Sequence, residues 1–390
     1  MTSRDRTQAA VSRDSVDHAP CAFMIFEALR SQCADHAEFV DRQLELGLDA
    51  VVELSAWAGT RPQVQSDLPG IPVESGEGIE VRHWRETPAD AACEVLCKEI
   101  TTPDGTLTQK VNLTPDWADL EAVPLMDDWL VPRSREFLVK TRDDLRSLRH
   151  ILAPPSPESR ESVAELAADA RQFANSRGVA LQAGWGVGLE AGLWLCGFER
   201  LAWAAIEEPA FVDEFAELVH AWNVARMRPV LDAGVDLFVR RAWYESTAFW
   251  SPAQFRRHVF PSLSAEAGLA HEAGAKFGYI CTTGVMPILD LIVEAGVDVL
   301  IGVDPVQGQG TDLAAIRERS AGRICLWGGV NGFVSVETGT EADVRREVRD
   351  AIRLLGPDGF ILSPVDNVTG SSDKTWQNIR ALIDEWRLNR

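Results

Sequence analysis

The stretch Val285-Met-Pro-Ile-Leu-Asp-Leu-Ile-Val-Glu-Ala-Gly-Val-Asp-Val-Leu-Ile-Gly-Val303 contains one whole folding unit. Val285, Leu289, Ile292 and Val293 recur at helical spacing and stripe one face. Gly296 follows, and apart from Asp298 the chain from Val297 to Val303 is apolar without alternation. A run of that kind is buried on both faces, as in a parallel sheet covered by helices. The same junction appears in Asp232-Ala-Gly-Val-Asp236 and Glu272-Ala-Gly-Ala-Lys276. Each places glycine just past a helix, where the backbone needs φ > 0.

The rhythm extends in both directions. A helix at Ala37–Gly47 precedes the strand Leu48–Leu54, and one at 160–177 precedes Val179–Ala183. Phe211, Phe215, Leu218, Val219 and Trp222 stripe a helix that leads to Asp236–Arg240. Helices at 252–273 and 311–319 lead to Lys276–Cys281 and Ile324–Trp327. Val344, Val348, Ile352 and Leu355 stripe the helix before Phe360–Leu362, and Trp376, Ile379, Ile383 and Trp386 stripe the last one. Strands at Val51, Val179, Asp236, Lys276, Val297, Ile324 and Phe360 make about seven βα units, with room for an eighth in the irregular stretch. The prediction is an α/β fold: a single (β/α)8 TIM-type barrel with an N-terminal β-rich excursion. Residues 1–20 read as a flexible tail and 21–390 as the barrel. Residues 60–135 read as an irregular β-rich insertion, with Thr102-Pro-Asp-Gly105 as a hairpin turn.

The chain has 390 residues, a net charge of −21 and 46% hydrophobic residues, the composition of a folded protein with a large core. Its acidity argues against sequence-independent binding of nucleic acid or anionic membrane, both of which need a Lys/Arg surplus. No apolar run approaches the ~18 residues of a transmembrane helix, and Met1–Pro20 has no signal-peptide core, so a cytoplasmic location is expected. The seven cysteines, Cys21, Cys33, Cys93, Cys97, Cys196, Cys281 and Cys325, are odd in number and scattered, unlike a disulfide framework.

In such a barrel the chemistry sits at the carboxyl ends of the strands. The segments there are Glu53–Trp57, Gly184–Glu190, Arg240–Glu245, Tyr279–Gly284, Asp304-Pro305, Gly328–Asn331 and Ser363–Asn367, rich in Gly, Trp and ionisable residues. Gly186-Val-Gly188-Leu-Glu-Ala191 fits the dinucleotide fingerprint, but 207–222 is helical where a second strand and an acidic residue belong. Those glycines read instead as tight turns over a barrel rim.

Several segments between about 179 and 388 resemble the uroporphyrinogen decarboxylase superfamily. They are Gly234-Val-Asp-Leu-Phe, Phe249-Trp-Ser-Pro-Ala-Gln-Phe, Val259-Phe-Pro, Gly278-Tyr-Ile-Cys-Thr-Thr-Gly, Gly328-Gly-Val-Asn, Glu337-Thr-Gly-Thr-Glu and Leu355-Gly-Pro-Asp-Gly-Phe-Ile-Leu-Ser-Pro. The resemblance implies a barrel shared by decarboxylases and corrinoid-linked methyltransferases, and a homodimer. The thiol-activating methyltransferases of that group hold zinc with His-X-Cys and a second Cys. The matching positions here are Tyr279, Cys281 and Asp366, an incomplete set, so zinc is not expected and Cys281 with Asp366 are its only ligand candidates. The decarboxylases grip substrate carboxylates with an Arg-rich N-terminal segment, a pattern that Ala19–Arg30 lacks.

The catalytic candidates are Glu245, Tyr279 and Asp366. Glu245 follows two aromatics that would desolvate it for proton transfer; a salt bridge to Arg240 or Arg241 is the alternative. Arg240 and Arg241, consecutive on a strand, point to opposite sides, so one at most faces a substrate. Asp304 and Asp366 either serve the site or cap a following turn. The remaining substrate-lining candidates are Glu53, Trp57, Trp185, Trp243, Tyr244 and Asn331. The leading expectation is a methyltransferase for a small molecule, linked to a corrinoid, a corrinoid protein or tetrahydrofolate and not using the zinc-thiol site. The alternatives are a cofactor-independent decarboxylase of an electron-rich aromatic acid and a non-catalytic metabolite-binding barrel.

Overall fold

The computed structural model describes residues 1–57, 75–89, 92–320 and 322–390, with Trp185 described by its backbone alone. The start of the expected insertion, 60–74, lies outside the described residues. The chain divides into two compact units: Met1–Gly59 with Ser162–Gly186 and Pro229–Arg390, and Thr60–Glu161 with Val187–Arg228. The described part of the stretch expected as an insertion, 60–135, belongs to the second of these units. Periodicity identifies each element but not which elements share a core.

The strands are β1 (Val51–Glu53), β2 (Glu80–Glu86), β3 (Val95–Thr102), β4 (Gly105–Asn112), β5 (Ser134–Glu136), β6 (Ala180–Gly186), β7 (Leu237–Arg241), β8 (Lys276–Ile280), β9 (Val299–Val303), β10 (Cys325–Asn331) and β11 (Phe360–Val365). In the first unit, seven form a curled parallel sheet in the order β1-β6-β7-β8-β9-β10-β11. These are the seven strands read from the sequence. Gly234, Gly274 and Gly296, at φ +77°, +78° and +89°, end the helices before β7, β8 and β9 as expected.

Among the described residues, the irregular stretch supplies no eighth parallel strand. Instead, Cys21 and Ile25 make isolated parallel bridges to Leu362 and Asn367 at β11. The Asp49 amide, just before β1, donates to the Cys21 carbonyl at 2.8 Å. The segment 21–25 therefore touches β11 and the chain entering β1.

A flexible tail is expected at 1–20. Its residues form helix α1 (Ser3–Ser12), started by a capping box between Thr2 and Asp5. Ala10 and Val11 join a buried cluster with Leu237, Val239, Ile280, Val299, Ile301, Cys325, Trp327 and Ile361. Polar composition hid this helix, because two small apolar contacts, Ala10 and Val11, and ion pairs anchor it rather than a broad apolar stripe.

That cluster defines the inner face of the sheet. Side chains alternate along a strand, so Arg241 shares a face with Leu237 and Val239, while Phe238 and Arg240 face the helices. Those helices include α2 (Pro157–Arg177), α3 (Phe260–Glu272) and α4 (Glu341–Leu355). On α4, Val344, Val348, Ala351 and Leu355 are buried along one stripe; each Val or Leu contributes roughly 1.5–3 kcal/mol.

In the second unit, β2-β3-β4-β5 form an antiparallel sheet, and the Thr102↔Gly105 pair closes the expected hairpin. Leu96, Ile100, Leu107 and Val111 of that sheet are buried, as are Trp194, Leu201, Phe211 and Phe215 of the helical stretch. Among the described residues, no helix is long and apolar enough to cross a membrane.

Candidate functional site

The residues singled out in the sequence fall into two groups, one on each face of the parallel sheet. On the helix-facing side, Arg240 is fully buried and its Nη2 donates to both Glu245 oxygens, at 2.7 and 2.9 Å. Its Nη1 donates to Glu266 on α3 at 3.0 Å and to Ser262 at 3.2 Å. Burial alone would push the guanidinium down, but Glu245 and Glu266 outweigh it and hold the proton more tightly. The Tyr279 hydroxyl donates to Glu245 Oε2 at 2.9 Å, and burial beside that carboxylate pushes its pKa well above 10. Glu245 is thus the ion-paired partner of Arg240, the alternative to a desolvated proton donor. With Tyr279 it is sealed in a network between sheet and helix.

The other group gathers at the carboxyl ends of the strands. Trp243, two residues past β7, packs partly buried against the inner cluster. Its Nε1 donates to Asp366 Oδ1 at 2.7 Å, joining the ends of β7 and β11. The Arg241 guanidinium lies 5.0 Å from the Trp243 ring centre, a cation–π contact. Asp366 has φ +62°, a left-handed conformation that aspartate tolerates better than most residues. It is solvent-accessible yet crowded by protein. That crowding raises its pKa above the ordinary carboxylate value, with Asp304 adding to the rise and the Trp243 N–H opposing it.

Asp304 and Asn331 form a second tie across strand ends. Asp304 Oδ1 accepts the amides of Val306 and Gln307, and Oδ2 accepts Asn331 Nδ2 at 2.7 Å. Asn331 also donates to Gln307 Oε1 and accepts from the Val334 amide. Asp304 therefore builds its own turn while standing near enough to Asp366 to influence its charge.

Glu53 ends β1 in register with Gln182 on β6, which pairs in turn with Leu237 of the inner cluster. The carboxylate accepts from Gln182 Nε2 at 2.7 Å and from Ser55 Oγ at 3.0 Å. Burial raises its pKa to about 7 despite those bonds. The Glu53 amide donates to His36 Nε2 at 3.0 Å, which requires a neutral imidazole; burial lowers the His36 pKa to about 4.

Trp57 points to α2, where its Nε1 bonds Asp169 at 2.8 Å and its ring tilts on Phe173. Tyr244 packs edge-on against Phe249, and its carbonyl accepts from Trp250. The side chain of Trp185 lies outside the described residues. Cys281 is buried, its thiol 3.6 Å from the Thr283 carbonyl.

A family zinc would need Tyr279, Cys281 and Asp366 to converge. Tyr279 faces the helices and is bonded to Glu245, whereas Asp366 is bonded to Trp243 at the inner rim. Among the described residues, no group of three His, Cys, Asp or Glu is placed to hold a metal. These positions do not fit the zinc.

Several participants were not read from the sequence, His36 and Glu266 among them. Gln182 carried a signal, being the one polar residue inside the apolar strand Val179–Ala183. Glu347 on α4, which accepts from Asn331 N and Ser335 Oγ, carried none. Gln307 looked like an ordinary loop residue.

The structure is similar to a methyltransferase from Methanosarcina mazei, with a TM-score of 0.61 and 16% identity over 100% of this chain and 99% of that one. At that identity the likeness concerns the fold. More distant is 3-keto-D-glucoside 4-epimerase from E. coli, with a TM-score of 0.38 and 13% identity over 58% of this chain and 85% of that one. No curated protein sequence matches the chain. The family model described as uroporphyrinogen decarboxylase (URO-D) matches residues 132–387, most of the chain, including the strand ends that carry Trp243, Asp304 and Asp366. The chain therefore belongs to the uroporphyrinogen decarboxylase family.

Proposed function

We propose that the chain is a small-molecule methyltransferase in which Asp366 takes the proton of the methyl acceptor. A corrinoid or a folate is the second substrate. The observation that carries this reading is the Trp243–Asp366 pair: an accessible carboxylate at the strand ends, held by an indole N–H, with its pKa raised by the protein around it. In the step, the acceptor's X–H proton passes to Asp366. The freed electron pair forms the bond to the methyl carbon, and the donor keeps the pair of the bond that breaks. Fold likeness to the Methanosarcina methyltransferase supports this choice. So does the commitment of Arg240 to two carboxylates, which removes it as a clamp for a substrate acid.

Methylcobalamin is mixed with tetrahydrofolate and the protein, and the corrinoid spectrum is followed. A protein-dependent change that Asp366→Asn abolishes is expected. No change with the unmodified protein overturns the reading. A second reading, decarboxylation of an aromatic acid, is favoured by Arg241, an arginine on the inner face beside Trp243. It requires Arg241→Ala to weaken binding of an aromatic carboxylate.

A further inference from the structure

We infer that Arg240, Glu245 and Tyr279 are positioning residues for Asp366: they fix the loop that presents the Trp243 indole to its carboxylate. The inference rests on the role proposed for Asp366, but concerns residues on the opposite face of the sheet.

Arg240 is the penultimate residue of β7 and Glu245 lies five residues on, so their two-pronged ion pair closes the chain between them into a short loop. The Glu245 amide donates to the Ala242 carbonyl at 3.1 Å, which tightens the turn. Trp243 stands in the middle of that loop, on the side away from the ion pair. The far side is anchored twice more, by Glu266 of α3 on Arg240 and by Tyr279 of β8 on Glu245. Arg240, Glu245, Glu266 and Tyr279 are all fully buried, where a charge-assisted bond has little water to compete with it. The loop therefore has one low-energy position, set by helix and sheet together.

The Trp243 N–H is the hydrogen bond that favours the charged form of Asp366; burial and Asp304 oppose it. Arg241 lies against the Trp243 ring, and Glu347 on α4 accepts the amide of Asn331, the residue that donates to Asp304. A shift of the loop weakens the indole bond and makes Asp366 harder to ionise.

The test needs no substrate, so its failure is distinct from failure of the methyl-transfer reading. The full chain is labelled with 15N-indole tryptophan, and Trp243 is assigned with Trp243→Phe. Its indole resonance is titrated with pH, and Asp366→Asn establishes which inflection belongs to Asp366. Tyr279→Phe, which removes one hydroxyl, is expected to move that midpoint up by roughly half a pH unit. Glu245→Gln is expected to move it further in the same direction. Val348→Ala, a core change on α4, is expected to lower stability and leave the midpoint in place. An unmoved midpoint and resonance in folded Tyr279→Phe overturn the inference, whether or not Glu245→Gln folds. An equal movement in Val348→Ala also overturns it, because general loosening would then suffice.

Discussion

Glu53 and Gln182 face each other across the parallel β1–β6 register, and the Gln182 amide donates to the Glu53 carboxylate at 2.7 Å. That single bond, with one from Ser55, does not offset the loss of water around the charge, and the pKa of Glu53 stands at about 7 instead of 4.5.

The sign of the resulting pH dependence is fixed. A carboxyl whose folded pKa lies above its unfolded value opposes folding once the unfolded chain ionises. The penalty is absent below about pH 4.5, grows as pH rises and is complete above about pH 7. The full displacement corresponds to roughly 3 kcal/mol. Glu53→Gln keeps an acceptor for Gln182 and carries no charge. It is expected to match the parent at pH 4.5 and to exceed it by roughly 1–3 kcal/mol at pH 8, in urea unfolding at both values. Equal stability of the two proteins at pH 8 would show that Glu53 ionises freely.

Arg240 poses the opposite case, a buried cation with two carboxylates. Arg240→Ala strands Glu245 and Glu266 without their shared partner, at a cost of roughly 3–5 kcal/mol. Arg349→Ala breaks a half-exposed pair with Glu385 and is expected to cost less than about 1 kcal/mol. Thermal unfolding of the two variants side by side checks the contrast. A small loss for Arg240→Ala would mean that water reaches the pair.

The contrast between those arginines also marks how far the sequence could be read. Seven strands were legible because glycine-ended helices and unalternating apolar runs repeat, and β1 to β11 of the parallel sheet follow them. The rule that neighbours on a strand face apart anticipated that Arg240 and Arg241 diverge. What it does not state is which face is inner, and that decides whether Glu245 and Tyr279 meet solvent or helix α3. Only the cluster around Val239, Ile301 and Trp327 answers it. Segment 21–25 was unreadable for a different reason: its partners, Leu362 and Asn367, lie more than 300 residues away, and no local pattern encodes such a contact. The second unit combines stretches from two parts of the chain, 60–161 and 187–228, and periodicity is silent on that too.

Thiol reactivity follows from burial. All seven cysteines are free; Cys33 and Cys93 are half-buried and the other five are buried. Burial pushes the Cys97 thiol up to about 11, so it is neither exposed nor ionised near neutral pH. Iodoacetamide on the native protein, read by peptide mass spectrometry, is expected to mark Cys33 and Cys93 first. Cys21, Cys97, Cys196, Cys281 and Cys325 are expected to react only on unfolding. Rapid native labelling of Cys281 would contradict its placement behind Thr283.

Helix α1 provides the last test, through one of the ion pairs that anchor it. Arg6 Nη1 donates to Asp49 Oδ1 at 2.6 Å, and Asp49 is buried. The same carboxylate receives the Cys21 amide on its other oxygen at 3.1 Å, while the Asp49 amide returns a bond to the Cys21 carbonyl. Arg6→Ala removes the cation and leaves a buried carboxylate with one donor, at a cost of roughly 3 kcal/mol. The loss is expected to be local at first. Segment 21–25 depends on Asp49 on one side and on Leu362 on the other, so loosening Asp49 frees the Ala22 amide from the Leu362 carbonyl. Hydrogen exchange at Ala22 and Val368 is therefore expected to accelerate in Arg6→Ala well before exchange in β8 and β9 changes. Uniform acceleration across all these amides would mean that α1 stabilises the sheet as a whole and not the junction at its edges.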